Sequence, residues 1–232
     1  MGKRIIQQRR GRGSHTYRVK KSAFAARPGY PGNLEGEWKV IRLISSPGHS
    51  SPLAKFMNKE GKIFYNFATN LLYVGQVIKI NGENKGDIAK IGNLKNGTEV
   101  FNIENHPKDG GKFVRTGGNF ATIISKDGDF VKVNMPSKKE KKFESNCRVT
   151  VGRASGDGKF DKPILKAGKQ FYIKKVKSKL WPRTSAVKMN KIDHPFGSGR
   201  GKRIKSKISK RNAPPGKKVG LLRPRRTGRK KR

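Results

Sequence analysis

The chain is poor in cysteine, histidine and acid, and each shortage excludes something. Of 232 residues, one is cysteine, four are histidine and 15 are Asp or Glu. Cys147 alone forms no internal disulfide and no zinc–thiolate site. It reads as a small buried thiol and fits a reducing, cytoplasmic compartment. His15, His49, His106 and His194 lie far apart with no ligand spacing, so no metal site is expected. No apolar run approaches the roughly 18 residues of a membrane-crossing helix. The opening "MGKRIIQQRRGRG" lacks the apolar segment of a secretory signal. No GxGxxG dinucleotide fingerprint occurs. "GSGRGKR" (Gly197–Arg203) fails as a phosphate loop, because Phe196 stands where the first glycine belongs and Arg203 where Ser or Thr belongs.

What the chain has is positive charge. There are 56 Lys and Arg, for a formal net charge of +41. Self-repulsion on that scale opposes compaction. The working partner is therefore a polyanion: nucleic acid first, an anionic membrane surface second. The charge is uneven. Residues 1–31 hold 9 basic and no acidic residues, and residues 32–110 hold 10 and 8. Residues 111–180 hold 18 and 6, and residues 181–232 hold 19 and 1. The middle resembles an ordinary globular protein and the ends do not. The ends lack apolar periodicity and cannot offset their own ordering entropy. Their sparse hydrophobics, glycines and prolines (Pro28, Pro31, Pro214, Pro215, Pro224) suit extended arms between phosphate backbones. A plain solvated tail is the blander alternative.

The middle reads as β. "EWKVIRLIS" (37–45), "GKIFYNFA" (61–68) and "QVIKI" (76–80) form one set of short strands. "TEVFNI" (98–103), "NFATIIS" (119–125), "DFVKVNM" (129–135), "KKFES" (141–145) and "CRVTVG" (147–152) form a second. Asn81-Gly82, Asn96-Gly97 and Asp127-Gly128 are turn signals. Two sets of short strands predict two small barrels dividing near residue 95. One short helix is expected around 164–176, weakened by Gly168. The organisation is an N-terminal extension (1–34), a first barrel (35–95), a second barrel (96–180) and a C-terminal extension (181–232).

Two stretches draw attention as sites. In "DGGKFVRTGGN" (109–119), glycine pairs flank Lys112, Phe113 and Arg115. Such glycines let backbone amides approach phosphate, and Phe113 suits stacking on a base or ribose. A hairpin with a buried phenylalanine reads equally well. In "MNKIDHPFGSGRGKR" (189–203), Asp193 precedes His194. Adjacent side chains point apart in extended chain, and a dyad still needs a nucleophile and an oxyanion site. Ser198 is a nominal candidate in a glycine-rich stretch. Pro195 holds His194 extended, and the glycines permit a path that side chains would block. The pattern favours a shaped loop that presents His194.

Taken together, "RTSAVKMNKIDHPFGSGRGK", "RNAPPGKKVG…RRTGR", "DGGKFVRTGG", "CRVTVG" and "GKRIIQQRRGRG" resemble the large-subunit ribosomal protein two family. The resemblance runs over nearly the whole chain and is weakest over 35–95. It points to the archaeal and eukaryotic-cytosolic branch, because Phe196 follows Asp-His-Pro where the bacterial branch carries a second histidine. Ser198 departs from the family's unbroken glycine run. The resemblance implies a mainly β fold: an OB-type barrel, then an SH3-like barrel, with long basic N- and C-terminal extensions buried in ribosomal RNA. It implies a primary binder of large-subunit RNA near the peptidyl-transferase region, supporting subunit association, tRNA binding and translation in the cytoplasm. The implied partners are that RNA, neighbouring large-subunit proteins and the small subunit at the interface, with no membrane and no small-molecule substrate. No cofactor is implied, Mg2+ entering only as RNA-associated ions. The nominated RNA-binding residues are Arg9, Arg10 and Arg12; Lys112, Phe113 and Arg115; Arg183, Asn190, His194, Gly197, Gly199, Arg200, Lys202 and Arg203; and Arg211, Asn212, Lys217, Arg225 and Arg226. His194 is the family's noted histidine, expected near the reaction centre without a catalytic role.

Two rivals differ in class. An RNA-acting enzyme through Asp193 and His194 needs a third catalytic group. A general compaction protein usually carries lysine-rich tails on helices rather than on β-barrels. Stoichiometric travel with large subunits separates both from a ribosomal constituent. The charge segmentation also predicts that limited proteolysis of the free protein leaves a core of roughly residues 35–180. Equal resistance of both ends would contradict it.

Overall fold

The computed structural model describes residues 2–159, 161–201 and 209–220. They fall into two compact units, Lys20–Lys169 and Met1–Val19 with Gln170–Arg232.

In the first unit, residues with alternating burial build antiparallel strands. β1 (Glu37–Ile44) buries Trp38 and Val40 and leaves Glu37 and Lys39 exposed. β2 (Leu53–Met57), β3 (Ile63–Phe67) and β4 (Val77–Lys79) complete a four-stranded sheet of order β3-β2-β1-β4. Its core gathers Tyr30, Leu34, Trp38, Val40, Phe56, Phe64 and Ile78. Trp38 meets Phe64 edge-on at 4.8 Å, and Phe56 stacks on Phe64 at 4.9 Å.

The second sheet has six strands: β5 (Ile88–Lys90), β6 (Glu99–Phe101), β7 (Ala121–Asp127), β8 (Phe130–Asn134), β9 (Glu140–Glu144) and β10 (Arg148–Val151). Their order is β5-β10-β6-β7-β8-β9. Val100, Ile103, Ile123, Val131, Val133, Phe143, Cys147 and Val149 fill its core. The β7–β8 hairpin falls where the Asp127-Gly128 signal places it, but Asp127 ends β7 opposite Phe130 and the turn pair is Gly128-Asp129, with Gly128 at φ +56°. Cys147 is buried and free, and burial pushes its thiol up to about 11. The fold is mainly β, in the OB-type then SH3-like arrangement.

Two strands were not visible in the sequence. β2 carries Lys55 among apolar residues and no β-branched residue, and β5 has three residues. β5 lies before residue 95, yet it pairs with β10 in the second sheet. Residues 20–34, placed by sequence in the N-terminal extension, belong to the same unit as both sheets.

The sheets share a polar seam. Asn102 Nδ2 donates to Asn66 Oδ1 at 2.8 Å, and Asn66 Nδ2 donates to Thr150 Oγ1 at 3.1 Å. Tyr30 Oη lies 2.6 Å from Thr150 Oγ1 and donates to the Asn102 carbonyl at 2.9 Å. Thr150 therefore supplies the remaining proton, and the four residues close a ring. Leu53, Phe67, Phe101 and Ala154 form an apolar patch between the same sheets.

Beside the seam lies one buried ion pair. Glu104 is fully buried, and Arg148 Nη2 sits 2.7 Å from its Oε1. Glu104 also accepts from the backbone N–H of Lys108, Gly110 and Arg148 at 3.2, 3.0 and 2.8 Å. Arg148 Nη1 reaches back to the Pro31 carbonyl at 2.6 Å.

In the other unit, α1 (Ile6–Gly11) begins at Ile5, whose N–H donates to Gln8 Oε1 at 3.2 Å. This is half of a capping box, because Ile5 has no side-chain acceptor to return. The N-terminal arm thus carries a turn of helix where sequence composition gave no periodicity. α2 (Ala167–Val176), which belongs to this unit from Gln170 onward, starts inside the expected helical window and buries none of its residues.

Removing one partner of a buried, hydrogen-bonded charge pair costs about 3–5 kcal/mol. Glu104→Leu should lower unfolding free energy by about that amount in urea titration, whereas removing the exposed Glu60 that pairs with Lys62 should leave the unfolding midpoint nearly unchanged. Equal effects would contradict the role given to Glu104.

Candidate nucleic-acid interface

The first unit carries an open cleft of about 1060 Å³. Its walls are Lys21, Phe24 and residues 26–31 of the arm, the β3 residues Ile63, Phe64 and Tyr65, His49, and residues 108–112 with Arg115. Five cations face it (Lys21, Arg27, Lys108, Lys112, Arg115) against one acid, Asp109. That acid is already engaged. Asp109 accepts backbone N–H from Gly111 at 3.1 Å and Asn105 at 3.0 Å, and Lys112 Nζ lies 3.2 Å away. Burial pushes its carboxyl up, but these donors outweigh it and hold it below the usual range.

The glycines of the loop are there for space. Gly111 has φ +88°, and a Cβ there would meet Asn102 Oδ1 at 2.5 Å. A Cβ on Gly117 would meet the Ser50 and Ser155 carbonyls at 2.8 and 2.9 Å. The close approach is to the protein's own atoms, a side chain at Gly111 and backbone at Gly117.

The three residues nominated here divide. Lys112 is exposed. Arg115 is half-buried: it donates to the Gly111 and Pro28 carbonyls at 3.3 Å each and lies 4.7 Å over the Phe67 ring. Burial lowers its pKa, yet a guanidinium stays charged. Phe113 packs on the second core, 5.5 Å edge-on to Phe143, with the Lys141 ammonium 3.5 Å over its ring. Of the two readings its sequence left open, this geometry is that of the packed phenylalanine.

The remaining nominated residues lie in the other unit. Arg9 and Arg12 are exposed and Arg10 half-buried at the end of α1. Arg183, Asn190, Gly199, Arg200, Arg211, Asn212 and Lys217 are exposed. Lys202, Arg203, Arg225 and Arg226 lie outside the described residues.

The His194 loop is wound tightly on itself. Asp193 N and His194 N both donate to the Asn190 carbonyl, at 3.0 and 3.2 Å. Gly197 N donates to the His194 carbonyl at 2.8 Å, and Ser198 N to the Met189 carbonyl at 3.2 Å. A Cβ on Gly197 would run into the Asn190 carbonyl and stand 2.6 Å from that of Met189. Ser198 adopts φ +82°, a conformation natural to glycine.

His194 is only 7% exposed. Its Nδ1 accepts the Phe196 N–H at 3.1 Å. A ring whose Nδ1 is an acceptor carries its proton on Nε2. Burial lowers the His194 pKa, so the ring is neutral at pH 7. Asp193 points elsewhere, to Lys3 Nζ at 3.9 Å. Among the described residues, no hydrogen bond joins the Asp193 carboxylate to the imidazole.

Sequence reasoning missed Glu104, Arg148 and Tyr30, which hold the cleft walls, and Lys21, Arg27 and Tyr65, which line it. Tyr30 alone left a signal, as an aromatic between glycine and proline in "RPGYPG".

Comparison with known proteins agrees over the whole length. Residues 84–216 match the family described as Ribosomal Proteins L2, C-terminal domain. The chain is 41% identical over 241 residues to the large ribosomal subunit protein uL2 of Hyperthermus butylicus, covering 100% of both chains. It is 41% identical over 236 residues to that of Archaeoglobus fulgidus (98% of this chain, 99% of that one). It is 42% identical over 238 residues to that of Sulfurisphaera tokodaii (99% of each). A mainly β pair of sheets, basic extensions and full-length identity of this order coincide on one conclusion: the chain belongs to the large ribosomal subunit protein uL2 family.

Proposed function

We propose that this protein binds large-subunit ribosomal RNA through its basic extensions and the cleft of the first unit. It does so near the peptidyl-transferase region, where it supports subunit association and tRNA binding. The carrying observation is the segregation of charge: 19 basic residues against 1 acidic over 181–232, and 9 against none over 1–31. Surfaces of that kind bind phosphate and shape more than base edges. Exposed Arg9, Arg12, Arg183, Arg200 and Arg211 supply phosphate contacts, and Lys21, Arg27 and Lys112 supply them in the cleft. Neighbouring ribosomal proteins and the small subunit are further partners, and the ribosome is the site of action. Mg2+ enters as ions of the RNA.

His194 acts by position. A neutral ring with Nδ1 committed to its own loop offers a single donor, Nε2–H, suited to an RNA oxygen. Proton transfer through an Asp193–His194 pair finds no support in their geometry.

Each neutralised phosphate contributes about 0.7–0.9 to the log–log salt slope. With on the order of ten contacts, affinity for large-subunit RNA should fall about a thousandfold or more between roughly 50 and 200 mM salt. A nearly flat response in filter binding, or arm crosslinks that miss large-subunit RNA, would contradict the proposal.

His194→Gln keeps a donor and removes titration near neutral pH. It should mainly impair subunit assembly, with fully assembled particles forming peptide bonds at close to the normal rate. Gly197→Val should be at least as harmful, through the blocked loop path. Normal assembly with peptide-bond formation slowed by about a hundredfold, together with tolerance of Gly197→Val, would make His194 a chemical group instead.

A further inference from the structure

Residues 63–78, "IFYNFATNLLYVGQVI", are the longest stretch of the chain without Lys, Arg, Asp or Glu. In a protein of net charge +41, such a gap has a consequence. The segment covers β3, the connecting loop and most of β4. The loop and the first residue of β4 leave four apolar residues exposed: Leu71 is 82% exposed, Tyr73 64%, Val74 57% and, on β4, Val77 49%.

The loop is held in place. Asn70 N donates to the Arg153 carbonyl at 2.8 Å, Leu72 N to the Thr69 carbonyl at 3.2 Å, and Gly75 N to the Val40 carbonyl at 2.8 Å. Val40 N returns a bond to the Gln76 carbonyl at 2.8 Å. Leu71 adopts φ +67°, a conformation uncommon for any residue with a Cβ. The surrounding bonds therefore keep a strained leucine in water, which is a mark of a binding loop.

We infer that the 71–77 loop is a docking surface for a different protein of the large subunit, one that presents an apolar face. Three observations select this occupant. A phosphate backbone needs cations, and the loop has none. The flanking Lys79 is paired with Glu37 at 3.7 Å, and Arg153 with Glu99 at 2.5 Å. A second copy of this chain is opposed by its own charge. An apolar centre with a paired, polar rim is the anatomy of a protein–protein contact. The loop's fixed conformation also lowers the ordering cost of binding.

The inference rests on the ribosomal reading, and one experiment separates the two. A photoreactive phenylalanine analogue replaces Tyr73, and large subunits containing this chain are purified and irradiated. The expected product is one ribonuclease-resistant conjugate with a single other polypeptide of the subunit. A ribonuclease-sensitive conjugate, a conjugate of two copies of this chain, or no conjugate in co-sedimenting protein overturns the docking surface alone. Failure to co-sediment overturns the ribosomal reading, and the docking surface with it. The double variant Leu71→Asn, Val74→Ser gives an independent readout. Asparagine tolerates the left-handed conformation, so folding is preserved. The subunit should keep its full complement of this chain while retention of the conjugated partner after a salt wash falls about tenfold, as loss of a buried anchor gives. Unchanged retention overturns the inference.

Discussion

Everything around the cleft depends on the buried Glu104–Arg148 pair. Burying one of only 15 acids in so basic a chain is costly unless every oxygen is satisfied. Here both are. Glu104 receives the Arg148 side chain, the start of β10 and the turn at Lys108–Gly110. Arg148 passes the constraint on to the Pro31 and Gly32 carbonyls. The pair thus ties both walls of the cleft, the entering arm and the glycine loop, to one strand of the second sheet. Arg115 repeats the pattern from the other side, through the Pro28 and Gly111 carbonyls. Cations that would otherwise repel each other are separated by fixed backbone.

The polar ring of Tyr30, Asn66, Asn102 and Thr150 then sets how the two sheets meet. Apolar contact alone tolerates sliding, whereas a closed hydrogen-bond ring has one register. Its cost is visible at Asn102, which adopts φ +50° and leaves Oδ1 without a partner. Only glycine fits at 111, beside that oxygen. The glycine of "DGGKFVRTGG" that sequence reading assigned to phosphate approach is therefore required first by the seam.

The strands with β-branched residues were legible, and so was the Gly128 hairpin, because local chemistry decided them. β2 and β5 were not, because pairing with β1, β3 and β10 decided them. The basic extensions were legible as composition. Which of the nominated loop residues stay exposed was not: Lys112 is exposed, whereas Phe113 packs on Phe143 and Arg115 donates to the Pro28 and Gly111 carbonyls. The tightness of the His194 loop was legible in its glycines and Pro195. The direction of the imidazole was not, because it is set by a single backbone N–H at Phe196.

The distribution of acids explains why the molecule folds at all at net +41. In the first unit acids anchor backbone: Asp87 binds the N–H of Lys79 and Asn84, Asp109 that of Asn105 and Gly111, and Glu104 three more. Anchoring uses each carboxylate for geometry as well as charge, which exposed pairs such as Asp127–Lys132 do only weakly. The C-terminal extension has one acid, Asp193, and it lies beside the one buried histidine. There the Asp193 carboxylate accepts no backbone N–H among the described residues, and a buried imidazole and short loop bonds shape the turn. Its one carboxylate, Asp193, faces Lys3 Nζ at 3.9 Å, so the bonds that shape the turn run from backbone N–H to the Asn190, Met189 and His194 carbonyls and to the imidazole.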